Sequence, residues 1–383
     1  MIKSFLKSIE GDRVLWVVVV ILSAFSILVV YSSTCTLAFR YQDGNTEYYI
    51  LKHIIILVLG FFLMYTVHKV SYRYFSRIAQ ILYIIAVPLL LYTLFEGTET
   101  HEASRWINIP VINTSFQTSD LAKFALILYL SRVLTLKTKS YNDFYSVLFY
   151  VFLPVMIITG LIFPANISTS ILLFFSSMLF MCVAGIKIKH LLRLGGISAG
   201  IFTVIILILL LVGDGGRINT GINRIQNFFS NEKSENFQVE QSKIAIANGM
   251  IFGKMPGNSI QRNNLPQAHS DFIFSIIIEE YGFIGGLFII LLYLILLYRG
   301  VMISIRAPGK FSALVAFGIT FILVFQAFIH FSVVVNLFPV TGQPLPLISM
   351  GGTSIWFTSI SIGLLLSISK EVRSKNNEGA INE

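Results

Sequence analysis

Ten apolar runs, at roughly 14 to 38, 50 to 68, 78 to 95, 119 to 136, 144 to 163, 166 to 186, 190 to 213, 272 to 298, 311 to 337 and 351 to 369, fill most of the chain. Each can cross, or nearly cross, the ~30 Å hydrocarbon of a bilayer as a helix, the one open-ended element that satisfies its own backbone polar groups there. With 55% hydrophobic and only 12% charged residues among 383, the chain has too little polar surface for a water-soluble shell. It is expected to be an all-α, polytopic integral membrane protein with ten transmembrane helices, forming one membrane domain over residues 1–383.

Lysines and arginines mark every second junction: Lys3, Lys7 and Arg13; Lys69, Arg73 and Arg77; Arg132, Lys137 and Lys139; Lys187, Lys189 and Arg193; Arg299, Arg306 and Lys310; Lys370, Arg373 and Lys375. The short intervening loops hold only Arg40, Lys52 and Arg105. Positive charge is retained on the cytoplasmic side, so both termini are expected there, with a polar tail from about 370 to 383. The net charge of +9 follows from this bias and calls for no nucleic-acid partner. The basic start "MIKSFLKSIEGDR" leads into an apolar run of about 25 residues without a small-residue cleavage site, which reads as a retained first helix. Cys35 and Cys182 fall on opposite sides of the membrane, so neither a disulfide nor a thiolate metal site is expected.

One loop is long, from about 213 to 271, and the topology places it outside the cell, where long loops usually carry function. Within it, "ENFQVEQSKIAIANG" spaces Phe237 from Ile244 and Val239 from Ile246 by one heptad, with Glu240 and Lys243 on a polar side. That pattern predicts a short interfacial amphipathic helix stopped at Gly249. The following "NGMIFGKMPGNSIQRNNLPQ" is too rich in glycine, asparagine and proline for a regular element and predicts shaped irregular backbone. Between the last two runs, "PVTGQPLPLISMGGTS" is apolar yet broken by Pro339, Gly342, Pro344, Pro346, Gly351 and Gly352. Irregular backbone at membrane depth must be satisfied by protein or by a watery cavity, so this segment either lines a cavity on the outer side or is an ordinary extracellular connection.

Charges inside spanning segments cost several kcal/mol unless paired or hydrated, which makes each a functional candidate. In "SDLAK", Asp120 and Lys123 are three apart on one helical face and read equally as an ion pair or as a helix cap with a snorkelling lysine. In "SRWINIP", Trp106 fits an interfacial anchor and Arg105 could hold an anionic headgroup or phosphate. In "AHSDFIFSIIIEEYGFIGG", Asp271 opens the eighth run at the outer surface, where capping by Asp271 or Ser270 is the simpler reading. Glu279 and Glu280 follow about 12 to 14 Å deeper at 1.5 Å per residue. One of them is expected to face a basic or polar neighbour such as His330, with Gly282, Gly285 and Gly286 allowing close helix approach.

Three segments, "FQTSDLAKFALILYLSR", "AHSDFIFSIIIEEYGFIGG" and "PVTGQPLPLISMGGTSIWFTSISIGLLLSIS", fall in this order on the fourth, eighth and ninth-to-tenth runs. Together they resemble the SEDS family of FtsW, RodA and SpoVE, from the first run to the tenth. The wording "GQPLPLISMGGTS" is more similar to the family's division members than to its elongation members. The resemblance implies a peptidoglycan glycosyltransferase that polymerises lipid II on the outer face of the plasma membrane during septal wall synthesis. Its implied partners are a class B penicillin-binding protein and other divisome membrane proteins. By motif position, Asp271 matches the family's catalytic aspartate, His269 belongs to the same H-[ST]-D-F motif, Trp106 matches an outer-face tryptophan, and Asp120 with Lys123 matches an S-E-x-x-K pair.

The implied chemistry suits these residue types. A carboxylate takes the proton of the attacking 4-hydroxyl, and cations offset the charge on the departing diphosphate. Candidates are Arg105, Lys123, Arg217, Arg224, Lys243, Lys254 and Arg262, with a divalent cation, Mg or Mn, whose ligands the sequence does not assign. Arg105, Trp106, Asp120, Lys123, His269 and Arg262 are therefore taken as substrate-binding candidates, and Glu279 and Glu280 as structural or regulatory. Departures from the family are Asp120 for a common glutamate, Met350 for tyrosine, Met250 and Met255 for glycine, and His330 for asparagine. Two other readings stay open, an elongation polymerase and a transporter that flips lipid II, together with a non-catalytic scaffold in which Asp271 only caps a helix.

Overall fold

In the computed structural model the described residues are 10–41, 43–96, 98–100, 103–109, 114–137, 143–211 and 237–381, for some of which, including Arg105 and 374–381, only the backbone is described. Helices occupy all ten apolar runs: α1 (Arg13–Ser33) with a short α2 (Cys35–Tyr41), α3 (Thr46–Lys69), α4 (Tyr72–Glu96), α5 (Thr118–Leu136), α6 (Phe144–Ile162), α7 (Ile167–Val183), α8 (Ile188–Leu211), α10 (Ile273–Arg306), α11 (Lys310–Val334) and α12 (Gly352–Ile381). An additional helix, α9 (Phe237–Gly249), sits in the long loop and ends at the expected glycine.

Among the described residues, seven helices are long and apolar enough to span a membrane, and α7 is apolar but shorter. The chain is a multi-pass helical membrane protein. In α5, every stretch of 18 residues contains Asp120, Lys123 and Arg132, whereas each of the seven has a stretch of that length with at most two charged residues. Polar residues start several helices by accepting their first amides: Asp12 for α1, Asn45 for α3, Asp143 for α6 and Asn166 for α7. Both cysteines are free.

The chain divides into two compact units. The first comprises residues 1–71, 230–308 and 323–383, and the second residues 72–229 and 309–322. In the first, α3 and α12 pack closely because small residues line their contact. A Cβ on Gly60 would meet Ser359 Oγ at 2.8 Å, and one on Gly363 would meet the Met64 carbonyl at 2.6 Å. Ile56, Leu57 and Ile355 fill the contact, and the Trp356 indole donates to the Ile56 carbonyl at 3.1 Å.

The second unit contains an element that hydropathy did not suggest. Residues Thr98–Thr100, Ala103–Ile109 and Thr114–Gln117 form β1, β2 and β3 of a small antiparallel sheet in that order. The SRWINIP stretch is its central strand, with Trp106 opposite Gln117, the residue that precedes α5. Elsewhere in this unit Gly318 lets α11 meet Ile127 and Phe180, where a Cβ would come within 2.8 Å of both.

Candidate functional site

Asp271 ends an irregular stretch just before α10, whose first helical residue is Ile273. The sequence reading made Asp271 the first residue of that helix and Asp271 or Ser270 its cap. Phe272 instead holds the N-cap position and supplies no side-chain bond, while the Ser270 hydroxyl turns back to Gln267 Oε1 at 2.8 Å. The Asp271 and Ser270 amides both donate to the Gln267 carbonyl, at 3.1 and 3.0 Å, in a tight turn that puts Gln267 at φ 61°.

The broken segment 339–351 runs alongside this turn with no helix. Gly342, at φ +64°, lies so near that a Cβ on it would sit 3.5 Å from Asp271 Oδ2. Two bonds tie segment and turn together: the Met350 amide donates to the His269 carbonyl at 3.0 Å, and the Ser349 hydroxyl to the Ser270 carbonyl at 2.7 Å. Helical side chains satisfy the segment's other carbonyls. Gln326 Nε2 donates to Pro344 O at 2.8 Å, His330 Nδ1 to Gln343 O at 2.9 Å, and the Tyr293 hydroxyl to Pro346 O. The Ser26 hydroxyl donates to Ile348 O at 2.7 Å, which leaves His53 Nε2 as the donor in its 2.8 Å contact with Ser26. Of the two ways to tolerate such backbone, this chain uses protein partners for these groups.

Ten residues below Phe272 the helix itself is broken. Gly282 takes φ 72° and ψ −175°, which interrupts the α-helical ladder. The loop after α9 fills the gap: the Lys254 amide donates to Glu279 O at 2.9 Å, and the Phe283 and Ile284 amides donate to Met250 O and Ile251 O at 2.9 and 3.3 Å. Glycine is required on both sides, since a Cβ on Gly249, Gly253 or Gly282 would overlap the facing backbone. Of the three glycines expected to allow close helix approach, Gly282 admits a loop instead. That loop carries two residues in left-handed conformations, Met250 at φ 47° and Met255 at φ 75°. α9 itself buries Val239, Ser242, Ala245 and Gly249 and leaves Phe237 and Ile244 exposed.

Glu279 and Glu280 are both buried, and their partners differ from the one expected. His330 is engaged with Gln343, so it does not serve either glutamate. Glu279 gathers the loop: its carboxylate accepts from the Ser259 hydroxyl, the Ile260 amide at 3.3 Å, the Gln261 amide at 3.2 Å and Lys254 Nζ at 3.4 Å. Glu280 accepts from the Ser32 hydroxyl of α1, and its other oxygen has no hydrogen-bond partner among the described residues. Arg262 joins the same corner, with Nη1 2.9 Å from Ser32 Oγ and 3.3 Å from Ser32 O. Ser32, Ser259 and Lys254 escaped the sequence reading as members of this network. The available signal was a serine inside an apolar helix, too common to single one out.

His269 precedes these carboxylates in a loop, and burial lowers it from the ordinary 6.5 to about 4, so its imidazole is neutral at pH 7. In the second unit Asp120 and Lys123 form the expected ion pair at 2.7 Å, largely buried, with Asp120 Oδ2 otherwise unpartnered among the described residues. Neither Ser119 nor Asp120 is the cap of α5; Gln117 takes that position. Trp106 is half-buried on β2. Arg217 and Arg224, and the side chain of Arg105, lie outside the described residues. No group of three metal-ligating His, Cys, Asp or Glu residues comes together among the described residues.

A family model described as a cell cycle protein, covering FtsW, RodA and SpoVE, matches residues 12–374. The chain is 30% identical over 386 residues to a probable peptidoglycan glycosyltransferase FtsW of Geobacter sp. (strain M18), covering 96% of this chain and 99% of that one. It is also 30% identical over 378 residues to stage V sporulation protein E of Bacillus subtilis, with coverage of 96% and 99%. A probable peptidoglycan glycosyltransferase FtsW of Haemophilus influenzae matches at 32% over 376 residues, covering 94% and 91%. Among solved structures, a chain of a peptidoglycan synthase complex aligns with a TM-score of 0.70 at 22% identity, over 94% of this chain and 98% of that one. RodA of Thermus thermophilus aligns with a TM-score of 0.66 at 23% identity, over 94% and 97%; at such identities these two establish the shared fold. A match across nearly the whole chain, with relatives aligned end to end at 30% identity or more, makes this chain a member of the FtsW, RodA and SpoVE family of cell cycle proteins.

Proposed function

We propose that the chain is a peptidoglycan glycosyltransferase that polymerises lipid II on the outer face of the plasma membrane, with Asp271 as general base. One observation carries the assignment of the base. Of the three carboxylates in "AHSDFIFSIIIEEYGFIGG", only Asp271 keeps solvent exposure, whereas Glu279 and Glu280 are buried at 0% and 1%. Asp271 also stands beside Gly342, where a Cβ would come 3.5 Å from its Oδ2. In the reaction, Asp271 takes the proton of the acceptor's 4-hydroxyl as its oxygen attacks C1 of the donor sugar. The bond from C1 to the diphosphate oxygen breaks, and polyprenyl diphosphate leaves with the electron pair.

The turn that holds Asp271 is fixed on both sides, by Gln267 within the turn and by Met350 and Ser349 from the broken segment. These backbone bonds keep the base in place, which is the preorganisation that proton transfer requires. A neutral His269 next to it adds no positive charge that would hold Asp271 as a weaker base. Arg105, Trp106, Asp120, Lys123 and Arg262 are assigned to substrate binding by their motif positions or outer-side placement. A divalent cation such as Mg or Mn would neutralise charge on the leaving diphosphate. Such an ion takes one or two carboxylates besides phosphate oxygens.

Division is favoured over elongation because relatives named FtsW align at 30% and 32% identity. The working partners on this reading are a class B penicillin-binding protein and other divisome membrane proteins at the septum, in keeping with the synthase complex that supplied the matching solved chain. A lipid II transporter would need intramembrane carboxylates free to change partners, and Glu279 is held by four donors. Reconstitution with the penicillin-binding partner, lipid II and Mg tests the choice. Glycan polymer is expected, whereas lipid II movement across the bilayer without polymer would favour transport.

A further inference from the structure

At the far end of α10 from Asp271, about 40 Å along the helix at 1.5 Å per residue, the first unit contains a second concave site. The start of α1, the end of α10 and residues 369–373 of α12 enclose a cleft of about 340 Å³. Its lining includes Arg13, Arg299, Arg306 and Arg373 against a single acid, Asp12.

That acid is already engaged. Asp12 Oδ1 accepts the Val14 and Leu15 amides at 2.9 and 3.2 Å, and Oδ2 accepts Arg299 Nε at 2.8 Å together with Nη2. The Asp12 amide donates to Ser369 Oγ at 3.0 Å, which fixes the start of α1 on α12. Arg299 is therefore held rigidly with Nη1 unused. Arg13, Arg306 and Arg373 form no ion pair among the described residues. Retention of positive charge in the cytoplasm accounts for basic residues at this level. It does not account for four arginines around one concavity whose only carboxylate is neutralised from within. Lys370, also at the end of α12, is used differently, since it pairs with Glu10.

We propose that this cleft binds the phosphate headgroup of an anionic phospholipid of the cytoplasmic leaflet. Guanidinium forks match phosphate oxygens in pairs, and basic pockets between transmembrane helices on the cytoplasmic side suit such headgroups. Val14 and Tyr298, which line the cleft and stay exposed at 40% and 61%, give the start of the acyl chains an apolar wall. A free phosphate would offer the same oxygens but leave that wall unused.

The test uses the full-length protein in phosphatidylcholine nanodiscs, with and without cardiolipin, followed by thermal unfolding. Cardiolipin is expected to raise the Tm of the unmodified protein by several degrees and that of Arg306→Gln/Arg373→Gln by less than a third as much. Lys189→Gln/Arg193→Gln, at a different basic junction, should retain the full rise, and 10 mM inorganic phosphate without cardiolipin should give none. An equal rise in the Arg306→Gln/Arg373→Gln protein, or an equal loss in the control pair, would overturn the site. A rise with inorganic phosphate that matches cardiolipin would overturn the lipid as its occupant. Should the double variant unfold in phosphatidylcholine alone, native mass spectrometry of Arg373→Gln decides: less retained cardiolipin supports the site, and an unchanged amount refutes it.

Discussion

Replacing Glu279 by alanine should release the loop that plugs the break in α10. The carboxylate accepts four donors, of which the Ser259 hydroxyl and the Gln261 amide are in buried bonds; Ile260 and Lys254 are only partly buried and can turn to water. A buried donor stranded without its acceptor costs about 1–3 kcal/mol, so the two together give about 2–6 kcal/mol. Since each 1.4 kcal/mol is a factor of ten, local opening of residues 250–263 should rise at least about 30-fold. Glu279→Gln keeps an accepting oxygen but turns an amide group toward other donors, and should cost about 1–3 kcal/mol. Hydrogen exchange read by mass spectrometry measures this directly, with α3 and α12 as an internal reference. Glu280→Gln supplies the contrast: the close hydrogen bond of Glu280 comes from Ser32 of α1, with only weaker interactions from the Gly257 and Ser259 amides, so exchange in this loop should rise less than with Glu279→Ala. Unchanged exchange at 250–263 in a folded Glu279→Ala protein would refute the role of Glu279 as the loop's anchor.

The Asp120–Lys123 pair should behave as a buried one: Asp120→Leu or Lys123→Met alone costs about 3–5 kcal/mol, and the double replacement costs much less than their sum. Unfolding of the four proteins in detergent measures the coupling, and strictly additive effects would mean the pair contributes nothing as a pair. His269 sets a pH window. Its folded value of about 4 lies below the ordinary 6.5, so the unfolded chain takes up a proton first, and stability present above pH 6.5 is lost as pH falls towards 4. After correction for intrinsic exchange, the Met350 amide, which donates to the His269 carbonyl, should open progressively across that window. His269→Gln should flatten the response, and a flat response in the unmodified protein would contradict the buried neutral imidazole.

The sequence was most legible where one segment carries the whole signal. Apolar runs located every long helix because a bilayer helix satisfies its own backbone, and Gly249 stopped α9 where it should. Asp120 and Lys123 were legible for the same reason, being neighbours on one turn. What escaped depends on distant residues. Glutamates at 279 and 280 reveal nothing of Ser259 or Ser32, and the serine in α1 lies 248 positions from its carboxylate. The break at Gly282 also looks like an ordinary helix glycine until the loop from 250 to 254 is seen inserted there. The small sheet formed by strands within 98–117 was missed because its strands are short, without the length that announces a span. Asp271 stood out by motif, but its distinction from the two glutamates is one of burial, which only the fold supplies.

The claim that Asp271 is the base is tested most directly by single-turnover polymerisation of lipid II with Asp271→Ala, together with the penicillin-binding partner and Mg. Loss of a general base lowers the rate by about 10²- to 10⁴-fold. The expected protein is one with an unchanged Tm and unchanged exchange at residues 250–263 that makes no detectable glycan chains. Polymerisation by Asp271→Ala at the unmodified rate would contradict the account.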